Sequence, residues 1–192
     1  LESDPVAVRE ALLVFFPELV AAYGDTAALL AADFYDSLRD APVSAASFNA
    51  VLARPVDEDQ ARGSVRWAVG SLFGDEPDAS AFVAAISGSA QRLILQPGRD
   101  TVWSNASRDP VRTAFARIPV GVTCRFCTTI ASRGFVYSTS RAAGESNKWH
   151  DECDCVIVPG RGAADYPEGH DLSRYVRLYE SGSGIGRDLP AG

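Results

Sequence analysis

A chain of 192 residues that is 46% hydrophobic and 22% charged, with a net charge of −7, is long enough to bury a core and too apolar for wholesale disorder. No apolar run approaches the roughly 18 residues that a membrane span requires. The opening Leu1-Glu2-Ser3-Asp4-Pro5 lacks the basic region and apolar stretch of a signal peptide, which reads as an intracellular chain.

Residues 1–118 read as helices. Asp4-Pro5 is a cap followed by proline at the first helical position. Val8, Leu12, Phe15, Phe16, Leu19, Val20 and Tyr23 then recur at helical spacing. Pro17 is expected to kink or split that helix, and Gly24 to end it. Asp25-Thr26 caps a second helix to about Leu38, with Leu29, Leu30, Phe34 and Leu38 inward, and Asp40 to Pro55 is looser. A third helix is expected from Glu58 to Phe73, with Val65, Ala68, Val69 and Leu72 in the core. Asp78 caps a fourth, carrying Phe82, Ala85, Ile86, Ala90, Leu93 and Ile94. Gln96-Pro97-Gly98 is expected to break it, leaving a fifth helix from about Asp100 that ends before Pro119.

After Pro119 the periodicity changes. Gly134-Phe135-Val136-Tyr137-Ser138 and Cys155-Val156-Ile157-Val158 read as short strands, joined by a polar connection from Arg141 to Lys148. A short helix is expected over 172–179, and Ser181 to Gly186 reads as a flexible tail or linker. The fold class is therefore mostly α. A helical domain (1–118) is followed by a small β-hairpin module (119–160) stapled by a Cys/His cluster, α+β overall, and then by an extended tail (161–192).

The staple is the strongest chemical signal. The four cysteines form two tight pairs, Cys124-x-x-Cys127 and Cys153-x-Cys155, and His150 lies just ahead of the second. Soft sulfur and imidazole donors returning after about twenty-five residues have the layout of a structural zinc site. Five candidates compete for four places, and spacing alone does not choose among them. A closed site of this kind contributes on the order of 10 kcal/mol to folding. The competing readings are a disulfide pair, a redox C-x-x-C, for which the thioredoxin-like strand–helix context is missing, and buried free thiols.

Enzyme readings fare less well. His150-Asp151-Glu152 and Cys124-x-x-Cys127 are formally the pieces of a zinc deaminase, but their order is reversed. The surplus cysteines would also fill the position a catalytic water needs. Ser138-Thr139-Ser140 resembles the central motif of ADP-ribosyltransferase toxins, yet the paired-glutamate loop those enzymes need downstream does not occur. His170, alone in a Gly/Asp loop, reads as a solvated side chain. No catalytic residue is expected.

Charge is segregated along the chain. Residues 1–90 carry 5 basic and 14 acidic side chains, 91–150 carry 9 and 3, and 151–192 carry 4 and 8. The basic middle, through Arg99, Arg108, Arg112, Arg117, Arg125, Arg133 and Arg141, has the forked guanidinium chemistry for packaged DNA or an acidic protein surface. Pairing with the acidic helices of the same chain is the plainer alternative. The chain contains no methionine, and Lys148 is its single lysine. The first point reads as a fragment, a processed product or a numbering that skips the start.

Several segments carry a family resemblance. They are Gly98-Arg99-Asp100-Thr101-Val102, Arg117-Ile118-Pro119, Gly121-Val122-Thr123-Cys124-Arg125-Phe126-Cys127, Ala131-Ser132-Arg133-Gly134-Phe135-Val136-Tyr137, Trp149 to Cys155, and Val158-Pro159. Together they resemble the Mu F-like minor head (minor capsid) proteins of tailed bacteriophages, over about residues 98–159. Tyr23-Gly24-Asp25 and Ala31 to Asp36 are similar more loosely, and the tail not at all. The resemblance implies a structural protein of the virion interior, present in the host cytoplasm during assembly. It implies association with portal, major capsid protein or packaged DNA, and in some phages fusion ahead of a capsid maturation protease. The alternative is a zinc-dependent hydrolase or deaminase, or an ADP-ribosyltransferase; a cellular zinc-ribbon DNA adapter is a third.

Overall fold

A computed structural model describes residues 4–39, 48–110, 114–121, 124–137, 149–151 and 153–182. Among them are five α-helices and one two-stranded antiparallel sheet, in agreement with the expected α+β class. In chain order these are α1 (Pro5–Arg39), α2 (Glu58–Ala68) continued by a 3-10 turn (Val69–Leu72), α3 (Ala79–Arg108), β1 (Ala114–Ile118), α4 (Arg125–Ala131), β2 (Val156–Gly160) and α5 (Leu172–Glu180). No helix among the described residues is long and apolar enough to cross a membrane.

The two long helices override their local breakers. α1 runs unbroken through Pro17 and Gly24, and α3 runs through Pro97-Gly98, so the expected splits do not occur. The reason is tertiary. A helix-interior proline costs about 3 kcal/mol, and Pro17 stands next to Phe16 in a core formed with Val20, Ala61, Val65, Val69 and Leu93. Gly24 and Gly98 are contact residues: a Cβ on Gly24 would sit 3.2 Å from Pro97 Cγ, and one on Gly98 would sit 2.9 Å from the Ala27 carbonyl oxygen. Each glycine lets one helix approach the other where a side chain would hold them apart.

α2 follows its sequence signals. Asp57 caps it through the Asp59 N–H at 2.8 Å, and Ala61, Ser64, Val65 and Ala68 form its buried face. Asp78 caps α3 by accepting from the N–H groups of Ser80 and Ala81. On the second half of α1 the inward face is Ala28, Ala32 and Tyr35, while Leu29, Leu30, Phe34 and Leu38 are exposed. Ala28 and Ala32 suit the stretch beside Ala27, where the Gly98 contact brings the α1 and α3 backbones close, while Tyr35 beyond it is buried with its hydroxyl donating to Asp109 Oδ2 at 3.0 Å.

The strand pairing differs from the expected hairpin. α3 ends at Arg108, and residues 114–118, expected to be helical, form β1. β1 pairs antiparallel with β2 from Ala114↔Gly160 to Ile118↔Val156. The expected strand over 134–138 contributes one bridge, Phe115↔Tyr137, with the Phe115 N–H donating to the Tyr137 carbonyl at 2.8 Å; Ser138 lies outside the described residues. That bond turns the polar groups of Phe115 away from β2. Phe115↔Pro159 is therefore a pair without ladder hydrogen bonds, where the missing proline N–H costs nothing. The sheet packs on α3, with the Trp103 and Phe115 rings 4.3 Å apart. The short helix expected over 172–179 is present as α5, and α4 was not anticipated.

Candidate metal centre

The two cysteine pairs reach one place by different local means. Cys124 is the residue before α4, its Sγ accepting the Cys127 N–H at 3.4 Å, which folds the first pair into the opening turn of the helix. Cys153 and Cys155 precede β2 at alternate positions, and both bring their sulfurs to Cys127. A turn from His150 to Cys153, closed by a 3.2 Å backbone bond, returns the histidine over the first pair. The sulfur donors are deeply placed, with Cys127, Cys153 and Cys155 buried and Cys124 and His150 partly so.

All five predicted donors are brought together as two overlapping triads. Cys124, Cys127 and His150 form one; Cys127, Cys153 and Cys155 form the other; within each, the donor atoms lie within 4.8 Å of one another. His150 Nε2 is 3.1 Å from Cys124 Sγ and 3.7 Å from Cys127 Sγ, and Cys127 Sγ is 3.8 Å from Cys153 Sγ. Zinc–sulfur bonds of about 2.3 Å at tetrahedral angles place two sulfurs roughly 3.8 Å apart, so these separations suit a metal. They are well beyond the ~2.05 Å of a disulfide, and all four cysteines are free thiols. Cys127 belongs to both triads.

His150 is oriented for coordination. Its Nδ1 lies 2.7 Å from the Asp151 carbonyl oxygen, an acceptor, so Nδ1 carries the proton and Nε2 presents its lone pair to the sulfurs. Asp151 is fixed in turn by the Arg92 Nε of α3 at 2.6 Å and fits the gap left by Gly88, where a Cβ would lie 2.8 Å from its own.

Behind the sulfurs stand two buried arginines. Arg99 of α3 donates through Nε to the Cys155 carbonyl at 3.1 Å and through Nη2 to the Cys153 carbonyl at 2.6 Å. Arg117 of β1 places Nη2 3.5 Å from Cys153 Sγ and 3.9 Å from Cys127 Sγ. Both guanidiniums lie over the Trp149 indole, 3.8 and 3.9 Å from a ring centroid. The hydrogen bonds of Cys127 and Cys155 hold the Cys153 thiol far below its ordinary pKa, while the same bond to Cys153 drives Cys127 up. For Cys155 the bond to Cys127 pulls downward, but the bond to Cys153 and burial prevail and push it up to about 12. Burial lowers the Arg99 pKa, opposed by the negative charge of Cys153. The cluster thus favours negative sulfur with cationic backing. Two buried positive charges are what three or four thiolates on one divalent ion would need for compensation.

The predicted arginines divide. Arg99 and Arg117 are each only 5% exposed and serve the cluster, so neither offers its guanidinium to an outside partner. Arg108, Arg125 and Arg133 are exposed, Arg108 bonding Asn105 and Arg125 reaching the Gly182 carbonyl beyond α5. Arg112 and Arg141 lie outside the described residues, as do Glu152 and Ser138-Thr139-Ser140. His170 is not freely solvated. It is half-buried, its ring 4.7 Å from Tyr166 and 5.3 Å from Tyr175, in an aromatic run that begins at Phe135. Trp149, Arg92 and Gly88 were missed as supporting residues. The adjacency Trp149-His150-Asp151 was visible, but not that α3 supplies its partners.

Comparison with known proteins places the chain. The family model of the VG15 protein matches residues 1–182. The Gene 15 protein of Mycobacterium phage L5 is 27% identical over 230 residues, covering 94% of this chain and 74% of that protein. No solved structure matches. With the family model spanning every described residue, helices and Cys/His cluster included, the chain belongs to the VG15 family of phage proteins.

Proposed function

We propose that this VG15 protein is a minor capsid protein of Mu F-like type, acting inside the phage head as a structural component without catalysis. In this reading it associates with portal or major capsid protein during head assembly, and its Cys/His centre holds one zinc ion through four of its five donors. The observation that carries the structural role is the burial of the donor set. Cys127 and Cys153 are 2% exposed and Cys155 is fully buried, and five donors are gathered where a tetrahedral ion takes four, which supports a closed, structural site rather than a catalytic one. Each triad would take its fourth donor from the other.

The zinc ion would tie α4, the His150 turn and the start of β2 to one point, and through Arg99 to α3. A small module with a two-stranded sheet has little core of its own, and a metal staple supplies what burial does not. The inward placement of Arg99 and Arg117 removes two of the seven arginines from any DNA-facing surface. That favours protein partners over packaged DNA.

Two measurements test the reading. Metal analysis of purified protein with a free-thiol count should give about one zinc per chain; two disulfides and no metal would discard the staple. Quantitative mass spectrometry of purified, filled heads of the encoding phage should find the chain at a fixed ratio to portal protein, and its absence from heads would discard the capsid role.

A further inference from the structure

The acidic N-terminal half carries an apolar surface that no other element among the described residues covers. On α1, Phe15 and Tyr23 stand two i+4 steps apart with half-buried Leu19 between them, and Leu30, Phe34 and Leu38 continue at i+4 spacing. Phe15, Tyr23 and Leu30 are 57%, 57% and 64% exposed. These positions have the i, i+4 recurrence of a packed helix surface, yet the residues the chain buries are their neighbours Phe16, Val20, Ala28, Ala32 and Tyr35. A contiguous apolar stripe on the outside of a helix of 35 residues marks an interaction surface.

Charge selects its occupant. Glu18, Asp25 and Asp33 are exposed and form one row on α1 at seven- and eight-residue spacing, with Glu18 and Asp33 each i+3 from a stripe residue, Phe15 and Leu30. α1 carries no lysine or arginine between Arg9 and Arg39. A second copy would set this acidic row against its own likeness in either orientation, and anionic lipid headgroups or nucleic acid would meet the same repulsion. An amphipathic helix whose apolar seam is edged by lysine and arginine meets both features at once, as at the e and g positions of coiled coils. We propose that α1 docks a basic amphipathic helix of a partner protein along Phe15, Tyr23, Leu30, Phe34 and Leu38, with Glu18, Asp25 and Asp33 pairing its cationic flank. The docking face is independent of the zinc staple and of the capsid reading, since it rests on the exposure and charge of α1 alone.

The test uses the full chain and two synthetic peptides of three heptads, both with leucine at a and d, one with lysine and the other with glutamate at e and g. Fluorescence anisotropy reads binding, and circular dichroism reads helix gained on mixing. The leucine/lysine peptide should bind, gain helix and weaken as salt rises, while the leucine/glutamate peptide should not bind. The double variant L30E/F34E should lose at least about tenfold in affinity, a change of about 1.4 kcal/mol. The triple variant E18Q/D25N/D33N should lose several-fold and flatten the salt dependence. Because all five substituted side chains are exposed, both variants should keep the wild-type circular dichroism and unfolding midpoint, and the triple variant stands by itself should L30E/F34E misfold. Three results would overturn the proposal: no binding of the lysine peptide, equal binding by L30E/F34E, or a wild-type dimer in sedimentation that L30E/F34E converts to monomer. The last would assign the face to a second copy.

Discussion

Asp151 occupies the space that Gly88 leaves open on α3, with a Cβ on that glycine placed 2.8 Å from the Asp151 Cβ. The contact couples the helical body to the Cys/His cluster, because the Asp151 carbonyl orients His150 and its carboxylate is held by Arg92 at 2.6 Å. A methyl group at 88 would push the turn outward and lift Nε2 from the sulfurs. G88A should therefore destabilise the protein by about 1–3 kcal/mol, the usual cost of overpacking. It should also weaken zinc binding about 10–100-fold, as loss of a ligand's orienting partner does. Competition with a chromophoric chelator measures the second effect; a variant that loses stability but binds zinc as tightly as wild type would separate the body from the centre.

Cys127 is the sulfur that both triads share, so a metal ion held by either triad engages it. C127S should abolish stoichiometric zinc and lower the unfolding midpoint more than serine at any other cysteine. Chelation of wild type should bring it to nearly the same midpoint as C127S, because both remove the same staple. If chelator leaves the wild-type midpoint in place, the cluster contributes to folding through thiol packing alone.

Much of this centre was legible in the sequence, and the reason is chemical. Two tight cysteine pairs and a histidine have few uses in one short segment, so spacing grouped these five side chains, and the structure brings them close enough to hold a metal ion. Arg99 and Arg117 were misplaced because a charge counted along a chain carries no direction. Their burial becomes visible only once α3 and β1 frame the sulfurs. The fold errors share a cause. Pro17, Gly24 and Pro97-Gly98 are local stop signals that a long packed interface outweighs. β1 escaped notice because Ala114-Phe115-Ala116-Arg117-Ile118 is buried on nearly every residue and shows no alternation.

His170 gives the C-terminal helix a dependence on pH. Burial between Tyr166 and Tyr175 lowers its pKa from the ordinary 6.5, with nearby Asp171 opposing. The neutral ring is thus favoured in the folded protein. Above pH ~6.5 both folded and unfolded forms are neutral and the stacking contribution is fully present. As pH falls through that value toward the lower folded pKa, the unfolded chain takes the proton first and the contribution is lost. H170F, which keeps a ring without a titrating group, should lose less stability than wild type between about pH 7.5 and 5.5. Any effect of acid on the Cys/His cluster is common to both proteins and cancels in the difference. Parallel stability curves for the two would exclude a role for His170.

The two glycines at the α1–α3 contact should respond differently to the same substitution. Glycine to alanine inside a helix gains about 1 kcal/mol in propensity, which favours both changes. At Gly98 the new Cβ would stand 2.9 Å from the Ala27 carbonyl oxygen, a backbone atom that can move only by shifting α1 as a whole. Overpacking against backbone costs about 1–3 kcal/mol, so the clash outweighs the gain and G98A should lower the urea midpoint. At Gly24 the nearest atom is Pro97 Cγ at 3.2 Å, a ring edge that yields with a few tenths of an ångström of pucker. G24A should therefore fall within about 0.5 kcal/mol of wild type, on either side. Because Ala27 and Pro97 lie on the same helix pair, general loosening of the interface would affect both variants alike. Only the difference between a carbonyl and a ring carbon separates them. A more damaging G24A than G98A would mean that the helices are held apart at Gly98, and that Gly24 marks the true point of closest approach.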